Sequence, residues 1–591
     1  MEQSVNRLSD LPDELLEAIV YYLPPNDTLS FGATCRHHNT ITYEPLVWRR
    51  HCIQTWRYWE PLRDLPGLLE APPAQTKWRQ LYNQRKMIDK RALDTFNLLL
   101  LSQQQRLARM EEVGVKGYDV KDLLLQLLND TPDDADDVLA RRYHAKAILG
   151  MIHRGIAIGK WSRLQRRQMI GLEEVLGAYD LFILPGAGPD LADVSRKLDS
   201  VAEAIRRRDD EWEERTVRQK AVRVAKYLRS EGLVGNPDPS DFHSLRNNFI
   251  SLALFEEPHT SLPLQSVAIY CAVARRLGVN AKPSNYPRHV HAVIEAPLDR
   301  TLDGKHKFGL QGAEPESMHM DPWRTHEEVP REELAFQLSL MGAPHAQHAY
   351  HLGATSSQEV AIRTGRNIMN SVQEARDRQR NTPRRPVYPE IESAWYSMLW
   401  SMMVLGDTNP DTALHRRRQI LPYLVDHYQS HFPEDIHYIE SVVVPMFQTE
   451  REHVVLLNLI NSARQGDKNA KPRTERTEVI RETVHFKVGQ QFRHKRFRYE
   501  GMIIGWDIKC GAEDRWIEQM RVDDLSRGRY QPFYNVAADD KSIRYVAEEN
   551  IDALEEQPSE CMMALAGRYF KRWDDEAKLF VSNIKDEYPD D

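Results

Sequence analysis

The chain has 591 residues, of which 41% are hydrophobic and 28% are charged, and its formal net charge at pH 7 is −8. This length predicts several domains, and the negative charge excludes a general attraction to nucleic acid or to anionic membranes. No apolar run approaches the ~20 residues that a membrane-spanning helix needs, so we expect no membrane partner. The five cysteines are scattered and lack metal-ligand spacing, which favours the cytosol or the nucleus.

Residues 1–60 contain a helix start followed by an apolar stripe. Pro12 suits the first turn of a helix, and apolar residues then recur at helical spacing as far as Leu23. Three short helices cannot bury all of this apolar surface among themselves, so we expect a partner to cover the surplus. The residues expected to contact it are Leu11, Pro12, Leu15, Leu16, Ile19, Leu23, Leu46 and Trp48.

The motifs of this segment resemble an F-box over residues 8 to about 52. They are Leu-Pro-Asp-Glu-Leu-Leu at 11–16, Cys-Arg at 35–36 and Leu-Val-Trp-Arg at 46–49. F-boxes bind the Skp-type adaptor of cullin–RING ubiquitin ligases. The resemblance therefore implies a Skp-type adaptor and a cullin as partners.

Residues 76–232 carry apolar positions at helical spacing without a strict repeat period. We interpret this region as a helical spacer that supports the next domain. From residue 240 to 330 the pattern changes. Residues 264–277 predict an apolar helix ended by Gly278, and residues 290–294 and 318–321 predict strands.

The region 240–330 resembles the transglutaminase-like core of bacterial SirB-type proteins. The matching motifs are SLRNNF at 244–249, LPL at 262–264, VARRLGV at 273–279, PRH at 287–289 and MDP at 320–322. The resemblance implies a papain-like fold with a nucleophile at the start of the central helix and His and Asp on facing strands.

The nucleophile of that family is missing here. Its position falls on Gln265 or Ser266, whereas His289 and Asp321 stand at the positions of the family's His and Asp. Cys271 lies farther along the helix and points to a different face, at ~100° per residue. We interpret the site as a degenerate, non-catalytic remnant without metal or cofactor. The alternative is a Ser266–His289–Asp321 hydrolase or transferase.

Residues 331–460 again predict helices, whose pairs resemble tetratricopeptide-like layers. His345, His348 and His351 recur every third residue, so two could share a helix face and bind a metal. No acidic or thiol residue accompanies them, and a solvated loop or helix end is the favoured interpretation. Residues 461–482 are polar and predict a flexible linker.

Residues 484–558 alternate between apolar and polar in the manner of β-strands, with Gly489, Gly501 and Gly505 placed for bulges or tight corners. This predicts a small, strongly bent antiparallel barrel. Residues 559–591 are expected to form a tail that packs on the barrel and ends exposed to solvent.

The barrel region resembles the YccV/hemimethylated-DNA-binding-like domain. The motifs are FKVGQQFRH at 486–494, YEGMIIGWD at 499–507, PFYNV at 532–536 and YVAEEN at 545–550. Such domains in bacteria have been described as DNA-binding and as protease-specificity factors. Basic and aromatic residues on one hairpin suit nucleic acid, but they also suit a solvated sheet edge, and a peptide or protein ligand is favoured here. The candidate ligand-binding residues are Arg493, Lys495, Arg496, Tyr499, Trp506 and Tyr534.

The resulting fold class is a multidomain, mainly α protein with an α+β papain/transglutaminase-like core and a small all-β C-terminal barrel. The order of the three motifs resembles F-box proteins of this architecture. That resemblance implies a non-catalytic substrate receptor of an SCF-type ubiquitin ligase, with an unknown target protein. A hydrolase or transferase in the core and nucleic-acid binding by the barrel remain the alternatives.

Overall fold

The computed structural model describes residues 8, 11–186, 188–236, 238–307, 314–381, 387–406 and 409–591. The chain divides into two units, one made of residues 1–152 and 439–591 and the other of residues 153–438. The described residues are mainly helical and carry three antiparallel sheets, of four, five and two strands. This confirms the fold class. None of the described helices combines the length and the apolarity needed to cross a membrane.

The N-terminal segment of the first unit is a small helical domain built around Trp48. The indole of Trp48 is fully buried, and its Nε1 donates a hydrogen bond to the Thr42 carbonyl at 2.5 Å. Prolines occupy the first turn of the second and fourth helices, where their missing N–H costs nothing. The helices are α1 (Asp13–Tyr22), α2 (Pro25–Gly32), α3 (Arg36–Ile41) and α4 (Pro45–Thr55).

The next residues form the predicted helical region. Arg85 is fully buried there, with its guanidinium 5.0 Å from the rings of both Trp56 and Trp59 and 3.4 Å from the carboxylate of Asp119. Cation–π contacts and the carboxylates of Asp119 and Asp122 thus compensate a charge that would otherwise be costly to bury. The helices are α5 (Leu65–Glu70), α6 (Trp78–Leu101), α7 (Arg106–Gly114), α8 (Lys121–Asn129) and α9 (Val138–Gln165), the last of which contains the division between the units.

The second unit is organised around a helix that is buried over almost its whole length, as its apolar sequence predicts. Gly278, at φ +78°, ends this segment in the left-handed conformation that favours glycine. Two earlier helices begin with capping boxes, Asp190 with Asp193 and Thr216 with Gln219. The helices are α10 (Leu172–Ile183), α11 (Leu191–Arg207), α12 (Val217–Ser230), α13 (Ile250–Phe255) and α14 (Pro263–Arg276).

A four-stranded antiparallel sheet follows α14. The strand predicted at 290–294 begins two residues later than expected, so that His289 and His291 both precede it. The strand predicted at 318–321 ends one residue before Asp321. Ala292 pairs with Met320, which brings the start of one strand beside the end of the other. The first strand was not predicted. The strands are β1 (Asn280–Pro283), β2 (Ala292–Glu295), β3 (Ser317–Met320) and β4 (Glu328–Val329), in that order across the sheet.

The rest of this unit is helical, as predicted, and its long helices pack as successive neighbours. The tetratricopeptide-like arrangement stays a prediction. Nε2 of His348 donates a hydrogen bond to the Ala343 carbonyl at 3.2 Å, and its ring stacks on His345. Among the described residues, the three histidines are not one of the groups that could hold a metal ion. The helices are α15 (Arg331–Leu340), α16 (His348–Leu352), α17 (Ser357–Asn381), α18 (Ile391–Val404), α19 (Pro410–His431) and α20 (Ile436–Tyr438).

The expectation of a flexible linker at residues 461–482 is wrong at both ends. The helix α21 (Arg451–Lys468) runs into it, and α22 (Glu478–Thr483) ends it. The reason is tertiary, because the Asp467 carboxylate accepts hydrogen bonds from the backbone N–H groups of Leu107 and Ala108 at the start of α7. A polar sequence is therefore held in a helix by contacts with a distant segment.

The C-terminal domain is a five-stranded antiparallel sheet. Its register shifts between Ile503 and Gly505, which is a bulge at one of the predicted glycines. The helix α23 (Asp514–Gln519) lies in the connection between the second and third strands of this sheet. The strands are β5 (Gln491–His494), β6 (Glu500–Asp507), β7 (Phe533–Ala538), β8 (Ile543–Ala547) and β9 (Ile551–Leu554), in the order β8-β7-β6-β5-β9.

The last residues are part of this domain. They form α24 (Glu560–Ala566) and a hairpin of β10 (Phe570–Asp574) and β11 (Leu579–Ser582), and Phe570 and Phe580 join the apolar core. The expectation of an exposed end holds for Asp590 but not for Asp591, whose side chain is 1% exposed. Its charge is compensated by hydrogen bonds from Arg476 and Trp506.

Candidate functional site

The N-terminal helical domain presents an apolar face beside a complete core. Leu15 and Ile19 on α1 are 52% and 39% exposed, and Leu46 on α4 is 47% exposed. Leu15 and Ile19 lie four residues apart and therefore share one side of α1. Pro12 is exposed next to them, and Leu11 and Leu23 are half-buried.

Two residues predicted to contact a partner lie in the domain's own core instead. Leu16 and Trp48 are fully buried, Leu16 together with Val20 on the inner side of α1. Both faces of α1 are apolar, so the sequence pattern did not separate the inner leucine from the outer one. Sequence reasoning also missed Tyr22, whose ring is exposed at the end of the same helix.

In the core of the second unit, the sheet brings the predicted His and Asp together. His289 Nε2 lies 2.8 Å from Asp321 Oδ2. Burial raises the pKa of Asp321, but the hydrogen bond from His289 and the positive charges nearby outweigh it, so the pKa lies below its ordinary value. The Asp321 carboxylate is therefore ionised at neutral pH.

The candidates for a nucleophile make other contacts. Gln265 Nε2 donates to the Asn248 carbonyl at 2.8 Å. Ser266 Oγ accepts a hydrogen bond from the Gly235 N–H at 3.0 Å and shares another with Ser261 Oγ at 2.6 Å. Both side chains are fully buried. Among the described residues, the hydroxyl of Ser266 makes no hydrogen bond to His289.

Cys271 offers no alternative nucleophile. It lies within α14 and is fully buried, and burial raises the pKa of its thiol to about 12. The thiolate is the reactive form of cysteine, and it is not populated at neutral pH with such a pKa.

A third polar residue joins the pair, and sequence reasoning missed it. His291 Nε2 lies 4.0 Å from Asp321 Oδ2, and burial lowers the pKa of His291 to about 3, so its imidazole is neutral. His291 is two residues after His289, a spacing that places both side chains on one side of an extended chain. That spacing was the available signal. His289, His291 and Asp321 thus form a group in which one ligand atom of each lies within 4.8 Å of the others.

Two of the candidate ligand-binding residues of the barrel are buried. Trp506 donates from Nε1 to Asp591 Oδ2 at 2.9 Å, and the hydroxyl of Tyr534 donates to Glu548 Oε2 at 2.7 Å. Both lie in the apolar core, because their positions in β6 and β7 face inward. They support the domain and do not form a binding surface.

The other candidates lie around the turn between β5 and β6. Lys495 and Arg496 are exposed, whereas Arg493 pairs with Glu500 at 2.7 Å. Tyr499 is half-buried and its ring is covered by the guanidinium of Arg544 at 3.9 Å. At the same turn the ring of Phe497 is 66% exposed, and sequence reasoning did not place it among the candidates.

Models of three protein families match separate parts of the chain. F-box-like matches residues 8–54, the Transglutaminase-like superfamily matches residues 192–366, and Hemimethylated DNA-binding protein YccV like matches residues 484–577. The transglutaminase-like match starts and ends well outside the predicted 240–330. It includes the helices α11 and α12 that precede the predicted core and the start of α17.

Among curated proteins, F-box only protein 21 of Mus musculus is 35% identical over 116 residues, which are 20% of this chain and 18% of that protein. F-box only protein 21 of Homo sapiens is 36% identical over 108 residues, which are 18% of this chain and 17% of that protein. F-box/WD repeat-containing protein 5 of Rattus norvegicus is 35% identical over 77 residues, 12% of each chain.

The chain thus matches less than a fifth of the length of these curated relatives. No solved structure is significantly similar to it. The three matched domains follow one another in the order that the sequence motifs indicate. The chain therefore carries an F-box-like, a transglutaminase-like and a C-terminal YccV-like domain.

Proposed function

We propose that this chain is the substrate-recognition subunit of an SCF-type cullin–RING ubiquitin ligase. The F-box-like domain would hold a Skp-type adaptor, which in turn binds a cullin, and the transglutaminase-like and YccV-like domains would hold a target protein. The observation that carries the proposal is the exposed apolar side of α1, formed by Leu15 and Ile19, together with the exposed Leu46 of α4, on a domain whose core is already complete.

The size of this face fits a binding role. Full burial of a Leu or Ile side chain contributes about 1.5–3 kcal/mol, so three half-exposed side chains would add a few kcal/mol to adaptor binding. The core of Leu16, Val20 and Trp48 is buried without them. The face is thus available to a partner without any rearrangement of the domain.

In this role no residue of the chain carries out bond chemistry. A bound target meets the ubiquitin-carrying enzyme at high effective concentration, and this proximity accelerates the transfer. All five cysteines are free, which supports the proposal that the complex works in a reducing compartment, the cytosol or the nucleus.

The test is co-purification of the full chain with a Skp-type adaptor and a cullin. We expect wild type to retain both, and Leu15→Asp and Leu46→Asp to lose both, because a carboxylate is costly to bury in an apolar interface. The matched control is Leu62→Asp, since Leu62 is a highly exposed leucine outside the F-box-like domain. Retention of the adaptor by both face variants would show that the domain does not bind it in this way.

For the target we propose the turn between β5 and β6. It presents Lys495, Arg496 and Phe497, and the guanidinium of Arg496 lies 5.3 Å from the Phe497 ring, a combination suited to an acidic and apolar protein segment. Mass spectrometry of proteins retained by wild type would give the candidates. Tyr530→Ala is the control, because Tyr530 is an exposed aromatic residue elsewhere in the domain. A protein that Phe497→Ala no longer retains, but that Tyr530→Ala still retains, would be bound by the turn.

A further inference from the structure

His289, His291 and Asp321 converge at one end of the two central strands of the four-stranded sheet. His291 is the residue before β2 and Asp321 the residue after β3, and the pairing of Ala292 with Met320 sets them opposite one another. His289 reaches the same point because it lies two residues before His291. The rings of the two histidines lie 5.2 Å apart between centroids.

The distances between the donor atoms suit a small metal ion. Zn²⁺ binds imidazole nitrogen and carboxylate oxygen at about 2.0–2.2 Å, which in a tetrahedral site leaves the ligand atoms about 3.3 Å apart. Asp321 Oδ2 lies 2.8 Å from His289 Nε2, which is shorter than this separation, and 4.0 Å from His291 Nε2, which is longer. The ligand atoms of all three residues lie within 4.8 Å of one another, so small side-chain shifts would place them around one ion.

The second histidine of this group is buried and held in place by its neighbours. His291 is 3% exposed. The backbone of His291 is held by hydrogen bonds with Ser284, and its ring meets the edge of Tyr286 at 4.8 Å, so the histidine is oriented before any ion binds.

We propose that His289, His291 and Asp321 form a binding site for one divalent transition-metal ion, of which Zn²⁺ is the representative. Two imidazoles and one carboxylate suit Zn²⁺ or Fe²⁺ and are poor ligands for Ca²⁺ or Mg²⁺. Binding requires Nε2 of His289 to give up the proton that it shares with Asp321. Three protein ligands leave a fourth position for an oxygen ligand from outside the chain.

The positive charge of a neighbouring arginine opposes the binding of a cation at this site, and this provides a further test. Arg324 Nε lies 3.9 Å from Asp321 Oδ2, on a side chain that is mostly exposed and can turn away into solvent. A cation at this distance repels a second cation. Replacement of Arg324 by a neutral side chain therefore strengthens metal binding if the ion sits at Asp321.

The experiment measures Zn²⁺ binding by the metal-free full chain, in competition with a chromophoric chelator. We expect one tight equivalent in wild type, at least about tenfold weaker binding in His291→Ala and in Asp321→Asn, and tighter binding in Arg324→Gln. Asp321→Asn preserves the shape of the site, and circular dichroism checks that each variant folds.

Two controls separate this site from other histidines. His427→Ala changes a second group of residues that could hold a metal ion, namely Glu392, His427 and His431, and His306→Ala removes an exposed histidine. Both should retain the tight equivalent. The proposal is overturned if wild type binds no tight equivalent, if binding persists in His291→Ala and Asp321→Asn, or if the controls lose it equally. The outcome is independent of adaptor binding, which depends on another domain.

Discussion

The indole nitrogen of Trp506 lies 2.9 Å from Oδ2 of Asp591, a residue that follows it by 85 positions in the chain. Arg476 Nε donates to the other oxygen of the same carboxylate at 2.5 Å. The segment 559–591, which the sequence predicts to be a tail, thus packs against the YccV-like domain. Trp506 is thereby removed from the surface on which a ligand could bind.

This arrangement predicts that Asp591→Ala destabilises the YccV-like domain. The variant leaves the buried guanidinium of Arg476 without its carboxylate, and hydrogen bonds to charged groups contribute about 1.5–3 kcal/mol each. Urea unfolding monitored by tryptophan fluorescence measures the loss. Asp586→Ala, at an exposed position nearby, is the control and should unfold as wild type does.

The two sides of α1 should respond differently to mutation. Leu16→Ala leaves a cavity in the core and should cost about 2–5 kcal/mol, whereas Leu15→Ala should change the free energy of unfolding by less than about 0.5 kcal/mol. Thermal unfolding of the two variants provides the comparison. Equal effects at both positions would contradict the burial pattern on which the proposed adaptor face depends.

Asp180 predicts a pH dependence in the second unit. Burial raises its pKa from 3.8 to about 8, although the N–H and hydroxyl of Ser251 both donate to its Oδ2 and lower the pKa in part. The folded state therefore keeps a proton that the unfolded state releases above about pH 4. The resulting stabilisation of the folded state is fully present below about pH 4. The free energy of unfolding then decreases by about 1.4 kcal/mol per pH unit between about pH 4 and about pH 8.

We expect Asp180→Asn to remove this decrease in stability with rising pH, because the amide has no proton to release. Melting temperatures between pH 6 and 8 should fall more steeply for wild type than for the variant. Asp210→Asn, at an exposed position, should follow wild type. Parallel curves for wild type and Asp180→Asn would show that the carboxyl is already ionised in the folded protein.

The contacts of Ser266 predict that a serine-reactive probe leaves it unmodified. Its side chain is fully buried, and its hydrogen bonds go to Gly235 and Ser261. A fluorophosphonate should therefore give the same labelling of wild type and Ser266→Ala, read by mass spectrometry. Labelling of Ser266 that disappears in His289→Ala would instead support a hydrolase.

Much of the site in the second unit could be predicted from motifs. The resemblance to a transglutaminase-like core pointed to His289 and Asp321, and the structure brings them within hydrogen-bond distance. His291 was missed because the motif does not include it and because the strand was expected to start earlier. In the YccV-like domain, Trp506 and Tyr534 were selected as aromatic residues in a motif, although the motif preserves the core of that domain.

The order of the three domains and the type of most elements could be predicted from the sequence, because periodicity and short motifs are properties of neighbouring residues. The structure was needed to establish which apolar side of α1 faces solvent, that residues 461–468 are helical, and that the side chain of Asp591 is buried against Trp506. Each of these depends on free energies of contacts between residues that are far apart in the chain. Local patterns carry no information about such contacts, and tertiary packing overrides local propensity where the two disagree.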